Sequence, residues 1–408
     1  MPLQINYTVG YAGTGKSHSL LKLVESLPHN DFVVIAPTHK ALNRLRGGLP
    51  EDTEIKTIHS LLGWIPTINE NAKKVEHIDS THKLDKPLAK YSHIIIDEFS
   101  MMNEDMFTEI ITKLETMLWD EENERELDKT IVLDLFGDPY QLLPVKGFPI
   151  QTDPETTTIL TKQYRSESPD IVALFTKFVN YLDGSNTTDL TTPYSENVRP
   201  LDINKFKRGD RLLAYTNEAV GKWNKLIAKK LGINSYVGQE VQLGSMTDTV
   251  LVTKFVKPKL RELVMWLDTG ALKLQNSQMS KQFIESSLKA LIDNEYIEFI
   301  EAMNGFIYPV IVGTHKANIV LKNAKKKAIE NKKHFKEVYA LGRAFTMDYS
   351  FATTVHKSQG SEWDTIFVDK KDIQKSIMGG TSGGPAYYET YARLMYVSIS
   401  RSKKLLYI

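Results

Sequence analysis

Short apolar runs and helical spacings alternate along the first part of this chain. Tyr7–Val9, Phe32–Ala36, His93–Asp97 and Ile131–Phe136 are brief β-type runs, each ending at a polar cluster. Buried parallel strands whose carboxyl ends carry chemistry have this pattern. Leu20, Leu21, Leu23, Val24 and Leu27 recur at the spacing of one helix face, and Met101–Leu118 also reads as a helix. Residues 1 to about 160 therefore predict a mainly parallel sheet with helices on both faces.

The rhythm breaks between Gly63 and Leu88, where Trp64–Ile68, a polar turn at Asn69–Ala72 and Lys73–Ile78 predict a small inserted β-hairpin. A second α/β rhythm starts near Ile159, with a helix at Ile171–Leu182, a strand at Arg211–Tyr215 and a helix at Lys222–Lys230. From about Gly238 to Phe345 the pattern changes to short β runs and two polar helices, which predicts a second insertion. The α/β signature resumes at Tyr349 and ends with a strand at Lys404–Ile408. Gly379–Gly384 is glycine-rich but lacks a Lys-Ser or Lys-Thr ending, so it reads as a flexible linker. No internal repeat is present. The expected boundaries are 1–62 with 88–158 for a first core, 63–87 for its insertion, 159–237 with 346–408 for a second core, and 238–345 for the second insertion.

Composition narrows the class only a little. The 408 residues allow two to four domains, and a formal net charge of +1 means that any nucleic-acid surface must come from local clustering. Cysteine is absent, which removes disulfides, thiolate zinc sites and cysteine nucleophiles. His77, His82, His315 and His334 do not have metal-ligand spacing. With no signal-peptide pattern and no long uncharged apolar run, the expectation is a soluble cytoplasmic protein with no membrane partner.

Candidate chemistry changes the picture much more. Gly10-Tyr11-Ala12-Gly13-Thr14-Gly15-Lys16-Ser17 lies between a strand and a helix, the context of a phosphate-binding P-loop. Glycines let backbone N–H groups turn in around phosphate oxygens, and the helix start adds its positive end. Gly13, Thr14, Gly15, Lys16 and Ser17 are thus candidate nucleotide contacts, with Lys16 reaching the β and γ phosphates and the Ser17 hydroxyl on Mg²⁺. Ile94-Ile95-Ile96-Asp97-Glu98 is a buried strand ending in carboxylates, the Walker B arrangement. Asp97 would hold the metal and Glu98 would polarise an attacking water, which favours hydrolysis. Gly137-Asp138-Pro139-Tyr140-Gln141 follows another core strand, where Gln141 can bridge the γ phosphate to a second partner.

Further segments follow in order: Ala36-Pro37-Thr38-His39-Lys40-Ala41, Thr57-Ile58-His59-Ser60, Gln163-Tyr164-Arg165-Ser166, Ala214-Tyr215-Thr216-Asn217, Thr354–Glu362 and Tyr396–Arg401. Together with the P-loop and the acidic strand they resemble a superfamily 1 helicase, and most closely the RecD/Dda branch that moves 5′ to 3′ on single-stranded DNA. The resemblance covers nearly the whole chain. It implies two RecA-like P-loop cores, one interrupted by a strand-separating pin and the other by an SH3-like or mixed insertion, with ATP and Mg²⁺ bound between the cores.

The resemblance also assigns roles. Tyr164 would stack on adenine, which its π face suits. Arg165 and Arg401 would reach the transferring phosphoryl group from the second core, where a permanent planar charge fits phosphate. Glu362 would bind the ribose, and Gln359 with Gly360 would link the nucleotide and DNA sites. DNA contacts would come from Pro37, Thr38, His39, Thr57 and His59 on the first core, and from Thr216, Asn217, Thr354, His356 and Lys357 on the second. Hydroxyls and backbone amides grip phosphates without reading bases. In the pin, Trp64 and Pro66 either stack on a base or simply pack. The basic run Lys322, Lys325, Lys326, Lys327, Lys332, Lys333 and Lys336 reads equally as a solvated helix face or a DNA-backbone contact.

In the family, a glutamine in a segment before the first strand reads the adenine edge. Gln4 is not in a matching context, so adenine selectivity stays open. The expected function is an ATP-driven 5′→3′ DNA helicase acting as a monomer on single-stranded and forked duplex DNA, alongside replication or recombination proteins. A translocase that displaces proteins with little unwinding is the alternative, and a passive nucleic-acid-binding P-loop module a distant one.

Overall fold

The computed structural model describes residues 3–28, 31–37, 39–62, 64–68, 74–78, 91–120, 125–126, 129–144, 148–164, 166–184, 190–243, 249–256, 297–303, 305, 307–311, 345–378 and 385–408. These form two compact units. One comprises Met1–Thr67, Glu76–Val220 and Thr353–Ile408, and the other Ile68–Val75 and Gly221–Ala352.

In chain order the first unit begins β1 (Leu3–Gly10), α1 (Lys16–Ser26), β2 (Phe32–Ala36), α2 (His39–Arg46), β3 (Ile55–Thr57) and α3 (Ile58–Leu62). The hairpin β4 (Trp64–Ile68) and β5 (Lys74–Ile78) comes next, then β6 (His93–Asp97) and α4 (Glu104–Met117). A two-residue pair, β7 (Trp119–Asp120) and β8 (Arg125–Glu126), precedes β9 (Ile131–Gly137) and β10 (Thr157–Leu160). Six of these strands form one parallel sheet in the order β10-β1-β9-β6-β2-β3. Its middle explains its sequence: all five residues of β2 and four of β6 are buried, as strands covered on both faces must be. α1 lies on one face through Leu20 and Val24, while Ile110 and Leu114 of α4 join the core on the other. Asn103 caps α4 by accepting a hydrogen bond from the Met106 N–H, with Glu104 and Asp105 in the first turn.

The topology creates the site. The chain leaves β1 towards β2 on one side and leaves β9 towards β10 on the other, so a crevice opens where these two neighbours end. Register aligns Val9 with Gly137 and Asp97 with Phe136, bringing three chemistry-bearing segments to one sheet edge.

The second sheet has the order β11-β20-β19-β12-β18, made from β11 (Val198–Arg199), β12 (Arg211–Ala214), β18 (Ala352–Thr354), β19 (Trp363–Val368) and β20 (Ser402–Tyr407). Helices α5 (Pro169–Leu182), α7 (Val355–Ser358), α8 (Lys370–Met378) and α9 (Pro385–Ile399) belong to the same unit, while α6 (Asn217–Lys230) has most of its residues in the other. Ser168 caps α5, and Pro169 occupies its first turn, where no N–H is needed. The core formed by α5, α8, α9 and this sheet also takes in Ala12 and Leu142, two residues of the first sheet's loops.

The second unit contains a closed barrel of β13 (Glu240–Leu243), β14 (Thr249–Val256), β15 (Ile297–Ala302), β16 (Ile307–Ile311) and β17 (Phe345–Tyr349). Val241, Leu243, Val252, Ile300 and Val310 fill it. Closure removes exposed strand edges. Among the described residues no helix is long and apolar enough to cross a membrane.

Four local expectations are corrected. The Ile159 segment does not open the second core. Thr157–Leu160 is an edge strand of the first sheet, paired with β1, and Ile159 is 68% exposed. The helix expected from Lys222 starts at Asn217, since Thr216 supplies its cap. The helix expected from Met101 starts at Glu104, after a 3₁₀ turn at Phe99–Met101. The last strand runs Ser402–Tyr407 rather than Lys404–Ile408. The hairpin turn at Asn69–Ala72, the two polar helices expected before Phe345, the lysine run at Lys322–Lys336, His82, His315, His334 and Gly379–Gly384 lie outside the described residues.

Candidate functional site

The P-loop joins β1 to α1, and its shape depends on glycine, as Gly10 and Gly15 show. A β-carbon on Gly10 would stand 2.5 Å from Thr14 Oγ1 and 2.6 Å from the Leu160 carbonyl oxygen. Gly15, with φ 89°, precedes α1 in the left-handed region that glycine enters at little cost. No side chain caps α1 and no acid lies in its first turn, so its leading N–H groups face the loop. Lys16 Nζ donates to the carbonyls of Gly10 (2.6 Å) and Tyr11 (3.0 Å) and lies 3.8 Å from Asp138.

At the end of β6, Asp97 is 2% exposed and Glu98 6%. Glu98 has φ 54°, the one positive value at a non-glycine among the described residues. Such backbone strain persists where the surroundings enforce it, and here it turns the carboxylate back towards Gln141. Burial, then the neighbouring Glu98 charge, pushes the Asp97 carboxyl up to about 6, against opposition from Arg44 and Lys16. Arg44 on α2 donates from Nη2 to Asp97 Oδ2 at 2.9 Å and to Glu98 Oε1 at 3.5 Å. Burial opposes the Arg44 charge, but Asp97 and Glu98 outweigh it and hold the guanidinium above its usual basicity. The Ser17 hydroxyl and Asp97 carboxylate are hard oxygen donors of the kind Mg²⁺ takes, so the residues present fit that ion.

Side chains associated with the second sheet complete the arrangement. Fully buried Tyr396 on α9 accepts from the Ala12 N–H and donates to Asp138 Oδ2, both at 2.6 Å. Burial, then the Asp138 charge, raises the phenol well above its usual value, so it stays a donor. Three residues earlier, Arg393 Nη1 donates to the carbonyls of Pro139 (2.7 Å) and Gln141 (2.9 Å). Gln359 Nε2 donates to Gln141 Oε1 at 3.3 Å, and Gln141 Nε2 donates to Asp138 at 3.3 Å and Glu98 at 3.5 Å. A polar chain therefore runs from α7's end through Gln141 to the acidic pair. Gln163 donates to the Ala12 carbonyl at 2.6 Å, and the Tyr164 N–H to the Gly13 carbonyl at 2.8 Å. The Tyr164 ring is thereby held beside the P-loop, 67% exposed, with Lys162 Nζ 5.1 Å from its centroid.

Arg401 is 2% exposed, and its described hydrogen bonds go to the carbonyls of Val397 (3.2 Å) and Ser361 (3.4 Å), with its charge felt at Tyr396. Glu362 is ion-paired with Lys403 at 2.6 Å. Arg165 and Thr38 lie outside the described residues, as do the side chains of His39, His59, Trp64 and Pro66.

On the nucleic-acid side, the threonines expected to contact DNA also open helices. Thr57 accepts from the Ser60 N–H, Thr216 from the Ala219 N–H and Thr354 from the Lys357 N–H. Each hydroxyl opens a helix as an acceptor and keeps its own O–H to donate, which Thr216 gives to Asp372. Asp372 fixes the Thr216 loop by accepting from the N–H groups of Tyr215 (2.7 Å) and Thr216 (2.9 Å) and from Thr216 Oγ1 (2.9 Å). Asn217 is exposed, and Pro37 and Lys357 are partly so. His356 keeps an exposed edge and packs edge-on against Tyr215 at 5.6 Å. Protein around the ring lowers its basicity, which favours the neutral form.

Residues 3–147 match the AAA domain family model. Across both sheets and the barrel, the chain is similar to solved Pif1 helicases. One, described with forked duplex DNA and two coordinating Pif1 helicases, has 18% identity over 99% of this chain and 87% of that one, at a TM-score of 0.55. The Bacteroides Pif1 bound to single-stranded DNA has 19% identity over 99% and 88%, at 0.52. The same helicase with ADP-AlF3 and single-stranded DNA has 18% identity over 100% and 88%, at 0.50. The chain has the fold of the Pif1 helicases. No curated protein sequence matches the chain.

Arg44, Arg393, Tyr396 and Asp372 were not assigned roles from the sequence. Arg393 and Tyr396 share a helix face at i, i+3 within or beside a matched segment, a signal that was available. Arg44 had none: its partners lie 53 and 54 residues away.

Proposed function

We propose that this chain is an ATP-driven DNA helicase that translocates 5′→3′ on single strands and opens forked duplexes. The observation that carries the reading is the polar chain from Gln359 through Gln141 to Glu98 and Asp138, which ties the second sheet's loops to the P-loop's neighbours. Such a linkage is what a motor needs if the state of the phosphate is to be felt on the DNA side. Lys16 and the α1 amides would cradle the triphosphate, Ser17 and Asp97 would hold Mg²⁺, and Tyr164 would stack on the base. The metal would supply charge neutralisation at the phosphates when bound. Glu98, aimed by its strained backbone, would orient the attacking water and take its proton. Arg401, with Arg165, would stabilise the transferring charge once its loop closes on the nucleotide.

The solved neighbours bound to single-stranded DNA, a DNA fork and ADP-AlF3 support DNA and ATP as partners of this chain. The test is ATP hydrolysis with and without single-stranded DNA, together with unwinding of forks bearing a 5′ or a 3′ tail. Stimulated hydrolysis and preferential opening of the 5′-tailed fork are expected, and both should vanish in Lys16→Ala. Preference for the 3′ tail would overturn the polarity. Stimulated hydrolysis without fork opening would instead favour a protein-displacing translocase.

A further inference from the structure

Arg44 belongs to none of the nucleotide or DNA segments, yet it is the cation hydrogen-bonded to the acidic pair. Asp97 and Glu98 side chains are 2% and 8% exposed, and two adjacent carboxylates at that depth require a counter-charge. Arg44 meets both through the same nitrogen, Nη2, rather than through the two-pronged fork that an arginine and a carboxylate prefer. That grip is weaker than a fork. The guanidinium also stays 30% exposed, so it has a way out to solvent. Its Nη1 lies 3.7 Å from where a β-carbon on Gly360 would stand, which places the side chain between the carboxylates and the loop after α7. α2 itself is anchored by buried Ala41, Leu42 and Leu45, so only the Arg44 side chain need move.

We propose that Arg44 is an internal counter-ion that neutralises Asp97 and Glu98 in the nucleotide-free protein and must be displaced when a metal–nucleotide complex binds. The proposal rests on reading Asp97 as the metal carboxylate. A guanidinium and a divalent cation on the same oxygens repel each other, so each excludes the other. The metal–nucleotide complex is therefore taken up against an occupied site. Metal affinity is set below what the bare carboxylates would give, and the empty protein is protected from an unpaired buried charge.

The experiment measures affinity for a fluorescent ADP analogue with and without Mg²⁺ in the wild type, Arg44→Met, Arg44→Lys and Asp97→Asn, with thermal melting of each. In Arg44→Met the enhancement of ADP affinity by Mg²⁺ should exceed the wild-type enhancement by ~10-fold or more, the factor that loss of one charged hydrogen bond corresponds to. Without metal, Arg44→Met should melt below the wild type, and Mg²⁺ with ADP should narrow that gap. Arg44→Lys, which keeps a cation there, should fall between and covers the case in which the methionine variant fails to fold. An unchanged or smaller Mg²⁺ enhancement in both Arg44 variants would overturn the counter-ion role. If Asp97→Asn retains the full wild-type enhancement, the metal reading of the site fails instead.

Discussion

Removing a single hydroxyl, in Tyr396→Phe, tests whether the second sheet's helices hold the P-loop in shape. The phenol is fully buried and makes two short hydrogen bonds, one from the Ala12 N–H and one to Asp138, which is 0% exposed. Phenylalanine keeps the packing against Phe175 and Tyr140 but supplies neither bond. A charged hydrogen bond contributes about 1.5–3 kcal/mol, and a buried N–H stripped of its partner costs about 1–3 kcal/mol, so the variant should lose ~3–5 kcal/mol. That is a large share of the 5–15 kcal/mol typical of folded proteins. Urea unfolding of the wild type, Tyr396→Phe, Asp138→Asn and the double variant would measure it. The two changes should couple by roughly 1–3 kcal/mol, because they share one bond. A Tyr396→Phe protein within about 0.5 kcal/mol of the wild type, or strictly additive effects, would refute the reasoning.

Three further outcomes are expected. Asp372→Ala should cost ~2–4 kcal/mol by melting, since three donors lose one acceptor, and should weaken single-stranded DNA binding by loosening the Tyr215–Thr216 loop. Gly10→Ala should lower nucleotide affinity and cost ~1–3 kcal/mol, because the new methyl meets the Leu160 backbone carbonyl as well as the Thr14 hydroxyl, and the carbonyl cannot turn away. Asp348, in the barrel strand β17, has its carboxyl raised by burial, partly offset by hydrogen bonds from Asn224 and Tyr349 N–H and by Lys225. A raised carboxyl stabilises the fold below the unfolded value, near pH ~4, and that contribution is lost as pH rises through the folded value. Asp348→Asn should therefore be more stable than the wild type at neutral pH, with the gap closing below about pH 4 when melts are compared across the range.

What the sequence made legible was whatever chemistry is local. The P-loop and the acidic end of β6 are contiguous residues between a strand and a helix, so pattern and context coincide. Thr157–Leu160 is not legible as part of the first sheet because its adjacent middle residues, which point to opposite faces, are both exposed, so it carries no buried apolar run. The threonines of the DNA segments were read by residue type, whereas their hydroxyls answer first to the unsatisfied N–H groups of the helices they open. Tyr396, Arg393 and Arg44 act across separations that no spacing rule spans.

The hydrogen bond from Ala12 to Tyr396 joins residues 384 positions apart, and this bears on when the site comes into being. On the ribosome the P-loop emerges well before its tyrosine. The strands of the first sheet can pair while α9 is still to be made. Asp138 and the Ala12 amide then wait without their shared partner until α9 has been synthesised and has docked. Contacts of such sequence separation form late, because the loop they close must be ordered first. The phosphate loop, made long before its partner, would therefore acquire its working geometry late, and the nascent chain would hold no competent nucleotide site until then.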